Sequence, residues 1–461
     1  MAFCLFMSKQ SSIFKLIVLI FLIAVASGCF WSFKIFGQPL NPGGDEIFYD
    51  KAALNILEGN SFCQGFEGLC IEPQPLYPLF LSGVYFIFGH NYDAVRLIQI
   101  ILFALTAVLV FLFSKKLFNR RIAVYAGLLA ALFYPLANYS GRLYREVLFA
   151  FLSVLLIYCL SQIYFSQRKK WFVFSGIALG LMMLTNAVTY FLPLVITGNF
   201  LIIYRKRFFS KQMLVSFSLF ILSLIIVFSP WLIRNYYSDG GSADIMGGSI
   251  LVGRAYLIET LQGKYQEHFV GQISGYLFAK RLNPQLDIRQ LSTFPPENVY
   301  RRLDELSALG YNQERTGEIL QKEALSKIFK NPHFYFLSSF LYFISFNNPM
   351  LPNLATFDVS RAQNLFVGTH LELNSSTKTI FILSIRFVWL IFFFFVVYGA
   401  MKIIKNWSKF GWLILIIVYF NLVYSLLFAI PRYALPIYPF YIILFVYGLS
   451  IFWPKFEFRN T

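Results

Sequence analysis

The sequence predicts an all-α polytopic membrane protein of about ten spans, and three observations predict it. Only 13% of its 461 residues are charged, while 58% are hydrophobic and 20% aromatic. A soluble domain carries about 25% charged residues and cannot cover its surface with so few. Long apolar runs, close to the roughly 20 residues that cross about 30 Å of hydrocarbon, recur along the whole chain. Positive charge gathers in the short segments between those runs.

The expected spans are 13–36, 93–114, 122–138, 143–163, 171–186, 188–204, 214–232, 382–401, 410–430 and 433–453. The first is too long and too aromatic for a cleaved leader and reads as a retained anchor. Within the nearly continuous run 171–204 the break falls at Thr185-Asn186. A further apolar stretch, 334–350, is short and follows an amphipathic run, so it is expected at or partly in the membrane interface.

Orientation follows from charge. Lys115, Lys116, Arg120 and Arg121 fill one short loop, and Arg168, Lys169 and Lys170 another. Arg205, Lys206, Arg207 and Lys211 fill a third, and Lys402, Lys405 and Lys409 a fourth. None of these loops contains an acid. Such loops stay on the cytoplasmic side. The net charge of +17 is therefore a matter of topology, and a nucleic-acid partner is not expected. Parity places 37–92 and 233–378 outside. The layout expected is a transmembrane core over 1–232 with the external loop 37–92, an external segment with interfacial helices over 233–378, and C-terminal transmembrane helices over 379–461.

The external segments hold the candidate chemistry. Loop 37–75 is acidic, with Asp45, Glu46, Asp50, Glu58, Glu67 and Glu72 against Lys51. Asn41-Pro42-Gly43-Gly44 is turn chemistry, and Ile47, Ala52, Leu54 and Leu57 suggest a short helix ending at Gly59. Asp45 and Glu46 would stand at its N-terminus, either as plain capping acids or as site carboxylates. Cys63 and Cys70 in the same loop either close a small disulfide, the reading favoured in an oxidising compartment, or stay free thiols. The four histidines show no metal-ligand spacing. In the turn 138–146, Arg142 and Glu146 stand four apart and either pair along one helix face or line a site together with Arg145. Arg234 ends the seventh span, where it either snorkels or meets a ligand. Arg432 lies between Pro431 and Pro436 in a bare hairpin, which suggests an anionic partner. Carboxylates and guanidinium groups on one membrane face are what transfer from a phosphorylated donor requires: a base for the nucleophile and cations for the leaving phosphate.

An ordered series of short motifs resembles the GT-C class of polyprenyl-phosphate-dependent glycosyltransferases. The nearest group is the glycosyltransferase family 39-like proteins, relatives of protein O-mannosyltransferases and aminoarabinose transferases. The series runs Asp45-Glu46-x-x-Tyr49-x-x-x-Ala53, Gln74-Pro75-Leu76-Tyr77-Pro78, Phe88-Gly89, Ala94-x-Arg96-x-x-Gln99, Tyr139-Ser140-Gly141 leading to Glu146, Pro230-Trp231-x-Ile233-Arg234-Asn235, and Arg432-Tyr433-x-Leu435-Pro436. Two places depart from the pattern: Arg145 stands where relatives have Thr or Ser before the glutamate, and 184–187 lacks the arginine that often follows Thr185.

The resemblance implies a GT-C helix bundle with two short interfacial helices in the first external loop. It implies a polyprenyl-phosphate-linked sugar as donor, an inverting transfer, and a glycan, lipid or protein acceptor at the outer face of the cell membrane. Asp45 would be the general base. Glu46 would act beside it, and Glu146, Tyr49, Tyr77 and Tyr433 would support the site. Arg432, Arg234, Arg142 and Arg145 would hold the donor phosphate. The resemblance makes no cofactor certain and leaves a divalent cation, positioned in some relatives by the groups at Glu46 and Glu146, as an option. The alternative is a multi-span transporter or a flippase of envelope precursors. Its usual midplane charges and internal repeats are not evident here.

Overall fold

The computed structural model describes residues 2–34, 42–60, 64–66, 69–71, 74–237, 251–258, 261, 264–285, 297–349 and 375–453. The chain divides into two compact units. The first comprises Met1–Tyr237, Ile391–Tyr419 and Leu435–Thr461, and the second Ser238–Leu390 and Phe420–Ala434.

The first unit opens with α1 (Ala2–Cys29), continued by a π-helical turn to Lys34. Two helices follow in loop 37–92, α2 (Asp45–Leu57) and α3 (Leu76–Phe88), separated by a small antiparallel hairpin of β1 (Gln64–Phe66) and β2 (Leu69–Ile71). Then come α4 (Tyr92–Leu117), α5 (Arg120–Ala131), α6 (Tyr134–Tyr139), α7 (Glu146–Ser166), α8 (Lys169–Thr185), α9 (Leu192–Tyr204) and α10 (Lys211–Tyr237). Local chemistry sets several of these ends. Asn91 accepts from the backbone N–H of Asp93 and Ala94 and so caps α4; Asn119 caps α5 through Ile122 N–H. Helix α4 is the hub, packed by α1, α5 and α7. Helices α8 and α10 approach so closely at Gly176 that an added methyl would collide with the Phe220 carbonyl and the Ser223 hydroxyl.

In the second unit a helical segment over 251–258 precedes α11 (Tyr265–Ser274), α12 (Tyr276–Leu282), α13 (Glu297–Ala308), α14 (Gln313–Lys330) and α15 (Pro332–Phe346). Val252, Ala255 and Tyr256 form one apolar cluster with Val299 and Leu306 of α13 and Leu320 and Ala324 of α14. Helix α16 (Ser375–Ile403) and helix α17 (Trp407–Leu426) contribute residues to both units, and α18 (Tyr438–Phe452) belongs to the first.

Among the described residues, seven helices are long and apolar enough to cross a membrane: Ser12–Phe33, Tyr92–Leu117, Glu146–Ser166, Ala187–Tyr204, Lys211–Tyr237, Thr379–Ile403 and Trp407–Leu426. Ten were expected, and three fall short. The run 122–138 breaks into α5 and α6, with Pro135 at the start of the second. The run 433–453 yields only 15 residues of α18, because the prolines at 431, 436 and 439 confine its first part to a 3₁₀ turn. Helix α8 has 17 residues, about 26 Å at about 1.5 Å each, just under the usual span. The stretch 334–350 forms α15, also 15 residues long. It turns Phe336, Phe340 and Phe343 outward along one face and buries Leu341, Tyr342 and Phe346 on the other. Exposed Leu222, Ile225, Ile226, Leu232 and Ile233 on α10 are apolar surface that lipid covers at little cost.

Candidate functional site

The two glycines before α2 place its acids. Gly44 has φ +58, a left-handed conformation natural to glycine, and α2 begins at the next residue with Asp45 and Glu46 in its first turn. The short helix expected from the sequence is therefore present, and it ends before Gly59 at φ +70.

Glu46 is completely buried. Arg142 Nε lies 3.0 Å from Oε1 and its Nη2 donates to Oε2 at 3.1 Å, a two-point fork. The backbone N–H of Leu143 donates to Oε1 at 3.0 Å, and that of Gly43 to Oε2 at 3.1 Å. Both oxygens are occupied, and α2 is tied to the turn before α7. Glu146, four residues after Arg142, begins α7. Arg142 precedes α7 in an irregular turn, so the two side chains do not share a helix face.

A second polar chain runs behind this fork. Tyr49 meets Tyr77 edge-on at 5.0 Å between ring centres. Tyr77 donates its hydroxyl to Gln99 Oε1 at 3.0 Å, and Gln99 Nε2 donates to the carbonyls of Ser140 at 3.2 Å and Arg142 at 2.7 Å. Arg96 Nε donates to the Gly141 carbonyl at 3.2 Å and its Nη1 pairs with Asp93 at 2.7 Å. Gly141 packs against Ser32, where any Cβ would clash with the Ser32 backbone and hydroxyl. The motifs at 45–49, 77, 96–99 and 139–142 thus form one connected hydrogen-bonded wall in the first unit.

Asp50, one helical turn beyond Glu46, anchors the middle of α2. It accepts from Tyr85 at 2.6 Å, Tyr92 at 2.8 Å and His90 Nε2 at 2.9 Å. In the sequence Asp50 is only one more acid of the loop. The available signal was Tyr85, His90 and Tyr92 crowded around the α3–α4 junction.

Asp45 is half-buried at the first position of α2, while Glu146 is buried in the first turn of α7. Arg145 donates to Gln74 Oε1 at 2.7 Å and to the Thr185 carbonyl at 3.3 Å. The two departures from the motif pattern therefore meet: the additional arginine at 145 reaches the segment that lacks one. Arg234 bonds Asn235 Oδ1 at 3.0 Å and lies over the Trp231 ring. Arg432 and Tyr433 belong to the second unit, on a 3₁₀ turn, with the guanidinium over the Tyr433 ring and that ring packed on Tyr424 and Phe428. Cys63 and the Cys70 side chain lie outside the described residues.

Among the described residues, no group of three His, Cys, Asp or Glu side chains comes together to hold a metal. Glu46, the carboxylate proposed beside Asp45, has both oxygens engaged by four protein donors, a set that does not fit a divalent cation.

Residues 72–233 match the family model described as Dolichyl-phosphate-mannose-protein mannosyltransferase. No curated protein matches the chain. Among solved structures, the oligosaccharyltransferase AglB from Archaeoglobus fulgidus, in complex with an inhibitory peptide and a dolichol-phosphate, superposes with a TM-score of 0.51 at 14% identity. That match covers 98% of this chain and 53% of AglB. The apo form of the Archaeoglobus fulgidus enzyme gives a TM-score of 0.52 at 14% identity, covering 96% and 52%. ArnT from Cupriavidus metallidurans bound to undecaprenyl phosphate gives 0.43 at 14% identity over 94% and 77%, too low a similarity to argue from. The chain spans about half the length of the archaeal enzyme. Residues 72–233 are thus similar to the dolichyl-phosphate-mannose-protein mannosyltransferase family model, and the chain has the fold of the GT-C membrane glycosyltransferases.

Proposed function

We propose that the protein is an inverting membrane glycosyltransferase that moves a sugar from a polyprenyl-phosphate donor to an acceptor hydroxyl at the external face. The family domain and the GT-C fold support the class of reaction. The observation that carries the assignment of the base is the Glu46 clamp. With four donors on Glu46, α2 is a rigid mount, and Asp45, its first residue, is held half-buried at the helix N-terminus.

In the reaction Asp45 takes the proton of the acceptor hydroxyl as its oxygen attacks the anomeric carbon. The bond from that carbon to the phosphate oxygen breaks, and its electron pair leaves with the polyprenyl phosphate. Arg234 and Arg145, in the same unit as Asp45, are the cations assigned to the phosphate, where fixed positive charge stabilises the developing negative charge. Arg142 acts by holding Glu46. The AglB structure contains a dolichol-phosphate, which supports a lipid phosphate as the leaving group here. The external face rests on the acid-free basic loops.

The test is turnover and donor affinity of the purified protein with a polyprenyl-phosphate sugar. Asp45→Asn keeps the shape of the side chain and removes the base, so turnover should fall by about 10²–10⁴ with donor binding kept. Wild-type turnover in Asp45→Asn would transfer the role to Glu146. Lipid movement without sugar transfer by the wild-type protein would replace the enzyme with a flippase.

A further inference from the structure

The second unit contains a cleft of about 620 Å³ that the transfer chemistry does not use. The helix over 251–258, α13 and α14 build it. Apolar residues at helical spacing turn into their shared cluster, Val299, Leu303 and Leu306 on α13 and Leu320, Ala324 and Ile328 on α14. The polar residues between them line the cleft.

That lining is unevenly charged: Arg301, Arg302, Lys322, Lys327 and Lys330 stand against only Glu305 and Glu323. Both carboxylates are already committed. Arg302 Nη2 lies 2.7 Å from Glu323 Oε1, and its Nη1 lies 2.8 Å from Glu305 Oε2. Tyr256 donates its hydroxyl to the other Glu323 oxygen at 2.6 Å. The bonds from Arg302 and Tyr256 hold the Glu323 carboxyl below the usual carboxylate range, so it remains ionised and spent on Arg302. Three positive charges remain in excess. Arg301, Lys322 and Lys330 are exposed and have no ion-pair partner among the described residues. A buried acceptor atom, Asn298 Oδ1, also has no hydrogen-bond partner among them.

We propose that this cleft binds the phosphate ester of a polyol, with Arg301, Lys322 and Lys330 on the phosphate oxygens and Asn298 accepting from a hydroxyl. A cleft lined by one sign of charge concentrates the opposite charge. Guanidinium and ammonium groups together suit a phosphate with several charged oxygens. The volume falls within the range of about 300–1,000 Å³ usual for small-molecule sites. The ester has two sources, a phosphorylated sugar or the headgroup of phosphatidylglycerol.

The test uses the full chain in phosphatidylcholine nanodiscs and reads binding, so its outcome does not depend on sugar transfer. Glucose 6-phosphate should bind saturably by calorimetry and glucose should not. Lys322→Glu with Lys330→Glu should weaken that binding by about ten-fold or more, whereas Lys322→Arg with Lys330→Arg should stay within about three-fold of wild type. Adding phosphatidylglycerol to the discs separates the sources. Displacement of glucose 6-phosphate by the lipid, absent in the charge-reversed variant, assigns the site to the bilayer. Undiminished binding assigns it to a soluble ester. The proposal is overturned if glucose 6-phosphate fails to bind in phosphatidylcholine discs and phosphatidylglycerol produces no thermal shift that charge reversal removes. Equal binding by wild type and the charge-reversed variant also overturns it.

Discussion

Arg142 and Glu46, 96 positions apart, form a forked ion pair whose carboxylate has no exposed surface. The pair closes the first long loop onto the turn before α7, so its energetic role is positional. Removing one partner of a buried pair leaves an uncompensated charge, which typically costs about 3–5 kcal/mol. Arg142→Ala should therefore destabilise the protein strongly, and Glu46→Gln less, because an amide can keep part of the bonding. Thermal unfolding in detergent of both variants and the double variant gives the coupling. A coupling near zero would mean that the fork does not hold α2.

Asp50 makes a second, separable prediction. Asp50→Ala leaves the donors of Tyr85, Tyr92 and His90 without their shared acceptor, and one stranded buried polar group costs about 1–3 kcal/mol. The same variant with Tyr85→Phe and Tyr92→Phe should recover part of that loss, since fewer donors are then stranded. Thermal unfolding checks both steps, and no recovery would show that the loss arises elsewhere.

Parts of this arrangement were legible in the sequence for identifiable reasons. Helix α2 could be read because glycines and then acids mark its start and Gly59 marks its end. The span pattern could be read because hydropathy is a local property. At 122–138 and 433–453 the apolar runs do not form single long helices, because Pro135 and the prolines at 431, 436 and 439 interrupt them while hydropathy stays high. The Glu46–Arg142 pair was not legible, because Glu146 offered Arg142 a nearer partner at an ideal spacing. The bond from Arg145 to the Thr185 carbonyl explains two motif departures together, but only the folded chain brings them within 3.3 Å. Arg254 is not legible in the sequence: one arginine in a long polar segment carries no sign that it will be buried.

The Glu323 carboxyl yields a pH prediction. Its folded pKa lies below the ordinary carboxylate value because Arg302 and Tyr256 bond the ionised form. The stability it contributes is fully present above the unfolded carboxylate pKa, about 4.3, and is lost as pH falls through the lower folded value. Glu323→Gln should be less stable than wild type at pH 7, and the difference should shrink progressively below about pH 4. Melting temperatures of the two proteins across pH 3–7 test this, and a difference independent of pH would remove the ion pair as its cause.

Arg254 gives the last prediction. It has no exposed surface and pairs with no carboxylate among the described residues. Its Nη2 donates to the Ser339 hydroxyl at 2.7 Å, and the guanidinium lies 4.5 Å from the Tyr342 ring centre and 4.9 Å from that of Tyr335. Its Nη1 is buried with no hydrogen-bond partner among the described residues. Stacking between two rings returns about 2 kcal/mol when desolvated, while burying a charge costs several. The balance therefore favours an uncharged side chain of similar length. Arg254→Met fills most of the same space without the charge and should match or exceed wild-type thermal stability. Arg254→Ala removes the charge but leaves a cavity between Tyr335 and Tyr342, and large-to-small changes of this kind cost about 2–5 kcal/mol. Unfolding midpoints of the full chain in detergent separate these cases. If Arg254→Met is as damaged as Arg254→Ala, the contacts of the cation with the two rings and Ser339 outweigh its desolvation.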